Sequence, residues 1–179
     1  MKEGRVLSAA EIVAIFKRFP EGNPYYIPLF LAYAYGMPKD EVFAITVDDV
    51  RDPDWIITTR KVKYNRSNNQ HYISKAKDRY GYYITSDREV EKVIRRAVIN
   101  RMDIKACHRV CDERINTKKG LPIFFLNVRE DGTFISPQGI NHVARVIHGK
   151  KGKFEYVDPD WKFEDMITTG YYYIHKILA

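Results

Sequence analysis

The chain has 179 residues, 45% of them hydrophobic and 30% charged, a globular composition that argues against a disordered protein. This length suits a single domain over residues 1–179. Lys and Arg total 30 against 23 Asp and Glu, and the net charge of +7 favours polyanionic partners such as nucleic acid. The longest apolar run is too short for a membrane span, and a signal-peptide pattern is lacking at the start. We therefore expect a cytoplasmic protein with no membrane partner.

The first third of the chain predicts three helices. Ser8 and Glu11 form a capping box that begins an amphipathic helix. The stretch 25–35 is apolar on all sides and predicts a buried helix. Pro38 is expected to begin a short helix through about Ile45, because proline is tolerated at the first helical position.

The next part of the chain has the composition of strands. Three short segments are rich in β-branched and aromatic residues and predict a three-stranded antiparallel sheet, namely 55–59, 70–73 and 81–85. The two stretches expected to link them, 60–66 and 75–79, are strongly basic.

The second half of the chain predicts helices again. A long helix is expected over about 87–114, from the spacing of its apolar residues. Ser136 as N-cap and Pro137 at the first helical position predict a helix to Ile147, and a last helix covers about 163–178. The fold class is therefore mixed, mainly α with a small three-stranded antiparallel sheet.

Metal and cofactor sites find little support in the sequence. The two cysteines, Cys107 and Cys111, exclude a disulfide scaffold and favour a reducing compartment. Together with His108 they fall short of the four ligands of a zinc site, and we place both cysteines on one face of the long helix. The sequence also lacks a phosphate-binding loop, a dinucleotide-binding fingerprint and a serine-nucleophile elbow. We expect neither a metal nor a cofactor.

The run from Tyr35 to Val50 is more informative, because a buried helix ends at glycine, a short glutamate-containing helix follows, and an acidic turn leads into a sheet. This order resembles the tyrosine recombinase (phage integrase) catalytic domain, at Gly36, Met37, Glu41, Val42, Ile45, Asp49 and Val50. The segment 74–79 is similar to the hairpin context of the family's lysine, with Lys75 at the lysine position. The resemblance implies a tyrosine recombinase catalytic-domain fold over nearly the whole chain.

The catalytic positions of that family are occupied by other residues here. Pro38 stands where the resemblance implies the first arginine, and Ile167 where it implies the second. Glu164 stands at the histidine position. The chain also ends before the helix that carries the family's nucleophilic tyrosine and begins without the family's smaller DNA-gripping domain, so we expect a C-terminally truncated, degenerate site. The resemblance therefore implies an inactive relative, not an enzyme.

A DNA-facing surface remains. The resemblance implies that the hairpin meets the DNA backbone and that the helix after Ser136 meets a groove, where Gln and Asn can read adenine and Arg can read guanine. The candidate DNA-binding residues are Lys39, Arg60, Lys61, Lys63, Arg66, Lys75, Lys77, Arg79, Gln138, Asn141, Arg145, Lys150 and Lys151.

From these residues we expect a non-catalytic protein that binds double-stranded DNA, associated with DNA in a bacterial host cell. Its use would be as a transcriptional or phage lysogeny regulator. Two alternatives stay open. The chain could be a fragment of an active site-specific recombinase or integrase, or it could be a protein-interaction module. Self-association is left open as well.

Overall fold

The computed structural model describes residues 4–52, 55–83, 88–103, 108–110 and 121–175. The chain divides into two compact units. The first, the helical unit, contains residues 4–39 and 138–175, and the second, the sheet unit, is Asp40–Pro137. Within the described ranges, no helix is long and apolar enough to cross a membrane.

The helical unit contains four of the helices: α1 (Ala9–Arg18), α2 (Tyr26–Tyr35), α5 (Gly139–Ile147) and α6 (Phe163–Gly170), which continues as a π-helical turn over Tyr171–His175. The predicted capping box of α1 is present. Ser8 Oγ accepts a hydrogen bond from the Glu11 amide at 3.2 Å, and Glu11 Oε2 accepts one from the Ser8 amide at 2.7 Å. These bonds satisfy two amides that the first turn of a helix leaves without partners.

Helix α2 is buried along most of its length, as its uniform apolarity predicts. It ends at Gly36, whose φ of 68° lies in the left-handed region that glycine adopts without a steric penalty. Helix α6 packs against α2, and Gly170 permits this approach, because a Cβ atom built there would overlap the Tyr33 carbonyl oxygen. The two helices therefore form the centre of this unit.

The sheet unit contains two antiparallel sheets. The first has the order β1 (Val50–Asp52), β2 (Trp55–Asn65) and β3 (Gln70–Tyr83). The second pairs β4 (His108–Val110) with β5 (Leu121–Ile123). Between the sheets in sequence lies α4 (Arg88–Asp103), whose Val90, Val93 and Ile94 are buried.

The mixed fold class is confirmed, but the predicted strand boundaries are wrong. The second and third predicted strands are parts of the single strand β3, and the stretch 60–66 expected as a link lies largely in β2. The alternation of lysine with apolar residues explains this, since Val62 pairs with Ile73 and both are buried. The turn falls instead at residues 66–69, where Asn69 has a φ of 53°.

The predicted long helix is also wrong in its second part. Helix α4 ends at Asp103, and His108–Val110 is a strand that pairs with Leu121–Ile123. Tertiary pairing overrides local helix propensity here. Cys107 and Cys111 lie outside the described residues, and the helical face that we assigned to them is not supported by the strand between them.

Two helix boundaries need smaller corrections. The short helix α3 (Lys39–Val42) does not reach Ile45, whose carbonyl accepts a hydrogen bond from the Leu126 amide at 2.8 Å. Helix α5 begins at Gly139, and its N-cap is Gln138. The predicted N-cap Ser136 precedes a turn at residues 137–138 and lies outside the helix.

Candidate nucleic-acid interface

The hairpin of β2 and β3, hereafter the basic hairpin, carries most of the predicted DNA-binding residues of the sheet unit. Arg60 stands opposite Lys75 in the register, and Lys63 stands opposite Tyr72. Lys63, Lys75 and the turn residue Arg66 are exposed, whereas Arg60 is half-buried. The antiparallel pairing thus brings positive side chains of both strands onto one hairpin.

The pairing of the basic hairpin is interrupted in the middle. Thr58 pairs with Tyr80 and Arg60 pairs with Lys75, so residues 76–79 of β3 stand opposite the single residue Thr59. Such a bulge locally widens and twists the strand pair. The backbone of Lys77 and Arg79 belongs to this bulge, and their side chains lie outside the described part of the chain.

Lys61 of the basic hairpin contacts a buried carboxylate. Its ammonium nitrogen lies 3.3 Å from Glu41 Oε1 and 3.9 Å from Asp40 Oδ2. Glu41 is 1% exposed. Much of the positive charge of Lys61 is therefore neutralised inside the sheet unit, and it adds less to the surface potential than Lys63 does.

Asp49 organises the turn that leads into the first sheet. Its Oδ2 accepts a hydrogen bond from the Thr46 amide at 2.9 Å, and its Oδ1 accepts one from the Thr59 hydroxyl at 2.8 Å. Arg60 Nη1 donates to the same hydroxyl oxygen at 3.1 Å. Asp49 is buried, so this matching position of the recombinase pattern has a structural role that also orients the Arg60 guanidinium group.

In the helical unit, α5 separates an apolar face from a polar one. Ile140, Val143, Val146 and Ile147 are buried. Gln138, Asn141 and Arg145 are exposed and lie on one side at the spacing of helical turns. The Arg145 carbonyl accepts bonds from the amides of Lys150 and Lys151 at 2.9 and 3.1 Å, which holds this exposed lysine loop beside the end of α5.

Sequence reasoning missed His142, which belongs to this same region. Lys151 Nζ lies 3.1 Å from His142 Nδ1, and the rings of His142 and Tyr25 are 5.5 Å apart between centroids. Burial and the positive charges of Lys151, Arg18 and Arg145 lower the pKa of His142 below its ordinary value. A histidine one residue after Asn141 in a helix was the available signal, but the Tyr25 ring and the charge of Arg18 reach it only through tertiary structure.

The substituted catalytic positions lie in different environments. Pro38 is half-buried directly before α3, and Lys39 is exposed in it. Glu164 is half-buried in the first turn of α6, and Ile167 is 6% exposed and packs in the core. Lys75, at the family's lysine position, belongs to the sheet unit.

Polar side chains of α6 next to Glu164 and Ile167 accept hydrogen bonds from backbone amides of the N-terminal segment. Asp165 Oδ1 accepts a hydrogen bond from the Arg5 amide at 2.9 Å, Thr168 Oγ1 from the Gly4 amide at 3.1 Å and Thr169 Oγ1 from the Leu7 amide at 2.9 Å. In the part of the chain that the structure describes, no three His, Cys, Asp or Glu side chains are grouped as metal ligands.

Comparisons with known proteins give structural likeness only. No protein-family model matches the sequence, and no curated protein matches it. The Tn1549 transposon integrase in complex with transposon right-end DNA matches with a TM-score of 0.66 and 16% identity, over 94% of this chain and 52% of that chain. The same integrase in complex with circular intermediate DNA matches with a TM-score of 0.66 and 15% identity, over 95% of this chain and 54% of that chain.

The chain has a tyrosine recombinase-like fold. This likeness confirms the tyrosine recombinase-like fold that the resemblance implied. The chain spans about half the length of these integrases. At such low identity the likeness establishes the fold, and the chemistry has to be argued from this chain's own side chains.

Proposed function

We propose that this chain is a non-catalytic protein that binds double-stranded DNA with a tyrosine recombinase-like fold, and that it acts as a transcriptional or phage lysogeny regulator. Support for DNA binding comes from the DNA complexes of the structural neighbours and from the exposed cations of the basic hairpin and the α5 region. Contacts with DNA phosphates do not depend on the base sequence, and the cations available for them are Lys63, Lys75, Arg145 and Lys151.

The proposal that the chain is non-catalytic rests on the side chains of Pro38 and Ile167, the positions at which the resemblance implies arginine. Transfer of a DNA strand to a nucleophile places extra negative charge on the phosphate oxygens, and preorganised donors stabilise that charge. Removing one such donor costs roughly 10²–10³-fold in rate. Proline and isoleucine have no side-chain donor, and Ile167 points into the core, so neither can take part. Glu164 adds negative charge where a donor would be required.

A suicide duplex with a nick beside the recognition site tests for strand cleavage, with an active tyrosine recombinase on its own substrate as the positive control. We expect no covalent protein–DNA adduct on a denaturing gel, either for the wild type or for Pro38→Arg alone. An adduct that disappears when Tyr171, Tyr172 or Tyr173 is replaced by Phe would overturn the non-catalytic proposal and identify the nucleophile.

One observation favours the alternative that the chain is a fragment of an active recombinase or integrase, namely that it spans about half of each neighbour. The proposals differ in what a longer product of the same gene would do. A fragment would regain strand transfer when the remaining segment is supplied, whereas a regulator would only gain affinity.

DNA binding itself is tested by fluorescence anisotropy with a labelled duplex at low salt, and the regulatory role by footprinting on the DNA flanking the gene. Negligible affinity at low salt would favour the protein-interaction alternative. If the chain binds the duplex but footprinting shows no protected operator, the DNA-binding proposal stands and the regulatory role is contradicted.

A further inference from the structure

Four side chains of the helical unit form a positively charged group that we call the His142 cluster: Arg18, His142, Arg145 and Lys151. They come from the last turn of α1, from α5 and from the loop after α5. Arg18, Arg145 and Lys151 are exposed, and His142 is half-buried, with the Tyr25 ring 5.5 Å away between centroids. The positive charges of all three residues act on His142.

The contact between Lys151 and His142 fits a neutral imidazole. The Lys151 ammonium group can only donate, so at 3.1 Å it must donate to a lone pair on His142 Nδ1. An imidazole with a free lone pair on Nδ1 is neutral. The three charges that act on His142, from Lys151, Arg18 and Arg145, are all positive, and together with burial they lower its pKa below the ordinary value.

This arrangement is suited to an anion. Three cations held together repel one another, and a phosphate group between them would relieve that repulsion through charge-assisted hydrogen bonds. When Lys151 turns to a phosphate oxygen, it releases His142 Nδ1. The imidazole can then bind a proton and donate to the phosphate as a fourth cation. Tyr25 is also titratable and packs on the imidazole face, where it limits access of water to the ring.

We propose that the His142 cluster binds a backbone phosphate of duplex DNA and takes up one proton at His142 when it does so. The inference rests on the proposed DNA binding and adds a contact and a pH dependence to it. The direction follows from linkage. The pKa of His142 in the free protein lies below its ordinary value of about 6.5, and a bound phosphate raises it. Affinity therefore increases as pH falls through the pKa of the complex, and it levels off below the pKa of the free protein.

The test is fluorescence anisotropy with one short labelled duplex from pH 5 to pH 9 at constant ionic strength. For the wild type we expect affinity to increase by up to about tenfold per pH unit in the steepest part, the limit for uptake of one proton. His142→Gln should lose this increase and match the wild type at high pH, where the wild-type imidazole is neutral with and without DNA. His148→Gln is the matched control, because the Nε2 atom of His148 lies 2.9 Å from the carbonyl oxygen of Trp161, outside the His142 cluster and the basic hairpin, and its replacement should leave the pH dependence intact.

A second variant keeps the inference testable if His142→Gln is misfolded. Lys151 is exposed, so Lys151→Gln should fold, and it removes both the donated hydrogen bond and one positive charge. NMR titration of the imidazole should then show a higher pKa for His142 in the free protein. The pH range over which DNA affinity changes should move to higher pH.

The outcomes separate this inference from the proposed function. Duplex binding with the same pH slope in the wild type, His142→Gln and Lys151→Gln overturns the inference alone, as does a slope lost in His148→Gln and kept in His142→Gln. An unchanged His142 titration in Lys151→Gln overturns it too. Absence of duplex binding at every pH contradicts the proposed function and this inference together.

Discussion

Lys61 of β2 pairs with Glu41 of α3, with 3.3 Å between the ammonium nitrogen and Oε1, and the glutamate is almost completely buried. A carboxylate in such a site needs a partner, because its charge is costly outside water. Lys61 supplies it while remaining about one-third exposed, with 31% of its side chain accessible. The basic hairpin is thereby joined to the short helix that follows Pro38.

Lys61→Met should therefore destabilise the protein through the buried charge that it leaves behind. Removal of one partner from a fully buried ion pair lowers the free energy of unfolding by about 3–5 kcal/mol. Because Lys61 is partly exposed, we expect a loss of about 1–3 kcal/mol. Urea unfolding measures the loss. The double variant Lys61→Met with Glu41→Gln should recover part of it, since the buried negative charge is then removed as well. Lys63→Met, two residues along the same strand and exposed, is the control and should leave stability unchanged.

Asp49 and Asp48 offer a matched pair of adjacent carboxylates. Asp49 is buried and accepts bonds from Thr46 and Thr59, whereas Asp48 is exposed. Asp49→Asn replaces one acceptor with a donor that would face a donor, so we expect a loss of about 1–3 kcal/mol in the free energy of unfolding. Asp48→Asn should leave the free energy of unfolding unchanged. Thermal denaturation of both variants measures the difference. Equal effects of the two substitutions would show that the Asp49 bonds do not hold the turn.

Features that depend on a few neighbouring residues could be predicted from the sequence. The capping box of Ser8 and Glu11 lies within four residues, and the termination of α2 at Gly36 needs only one. The uniform apolarity of 25–35 sufficed to predict burial without knowing what packs on it.

Features that depend on distant partners could not be predicted. The union of residues 70–75 and 80–83 in one strand depends on β2, which pairs with both, and the strand at His108–Val110 requires Leu121–Ile123. The alternation in the basic stretch around Val62 was a readable strand signal that its high charge obscured. The His142 cluster depends on Arg18, which is more than a hundred residues away in sequence.

Gly170 should be intolerant of any side chain. In an exposed helix interior, Gly→Ala stabilises by roughly 1 kcal/mol, because alanine loses less backbone entropy on folding. Here a Cβ atom would overlap the carbonyl oxygen of Tyr33, so α6 would have to move away from α2. We expect Gly170→Ala to destabilise by about 1–3 kcal/mol, as overpacked cores do. The sign of the shift in melting temperature decides the point, since an increase would show that the two helices are not closely packed.

The exposed cations of the basic hairpin should act on DNA through phosphates. Lysines that neutralise phosphates release counterions, so the logarithm of affinity falls linearly with the logarithm of salt concentration, by about 0.9 for each contact. Lys63 and Lys75 are exposed on adjacent strands, and replacing both with Ala should reduce the magnitude of that slope by up to about two units. The loss should be the same on any duplex, because phosphate contacts carry no base information.

The control for this measurement is Lys92→Ala, which removes an exposed lysine of α4 that pairs with Glu89 at 2.8 Å. It lowers the net charge by one without touching the hairpin, and we expect its salt slope to equal that of the wild type. Anisotropy across a salt series, on two duplexes of unrelated sequence, measures all three proteins under one set of conditions. A slope that stays constant in the Lys63 and Lys75 double variant would mean that the basic hairpin does not meet DNA, and the interface would then have to be sought on α5 and the lysine loop beside it.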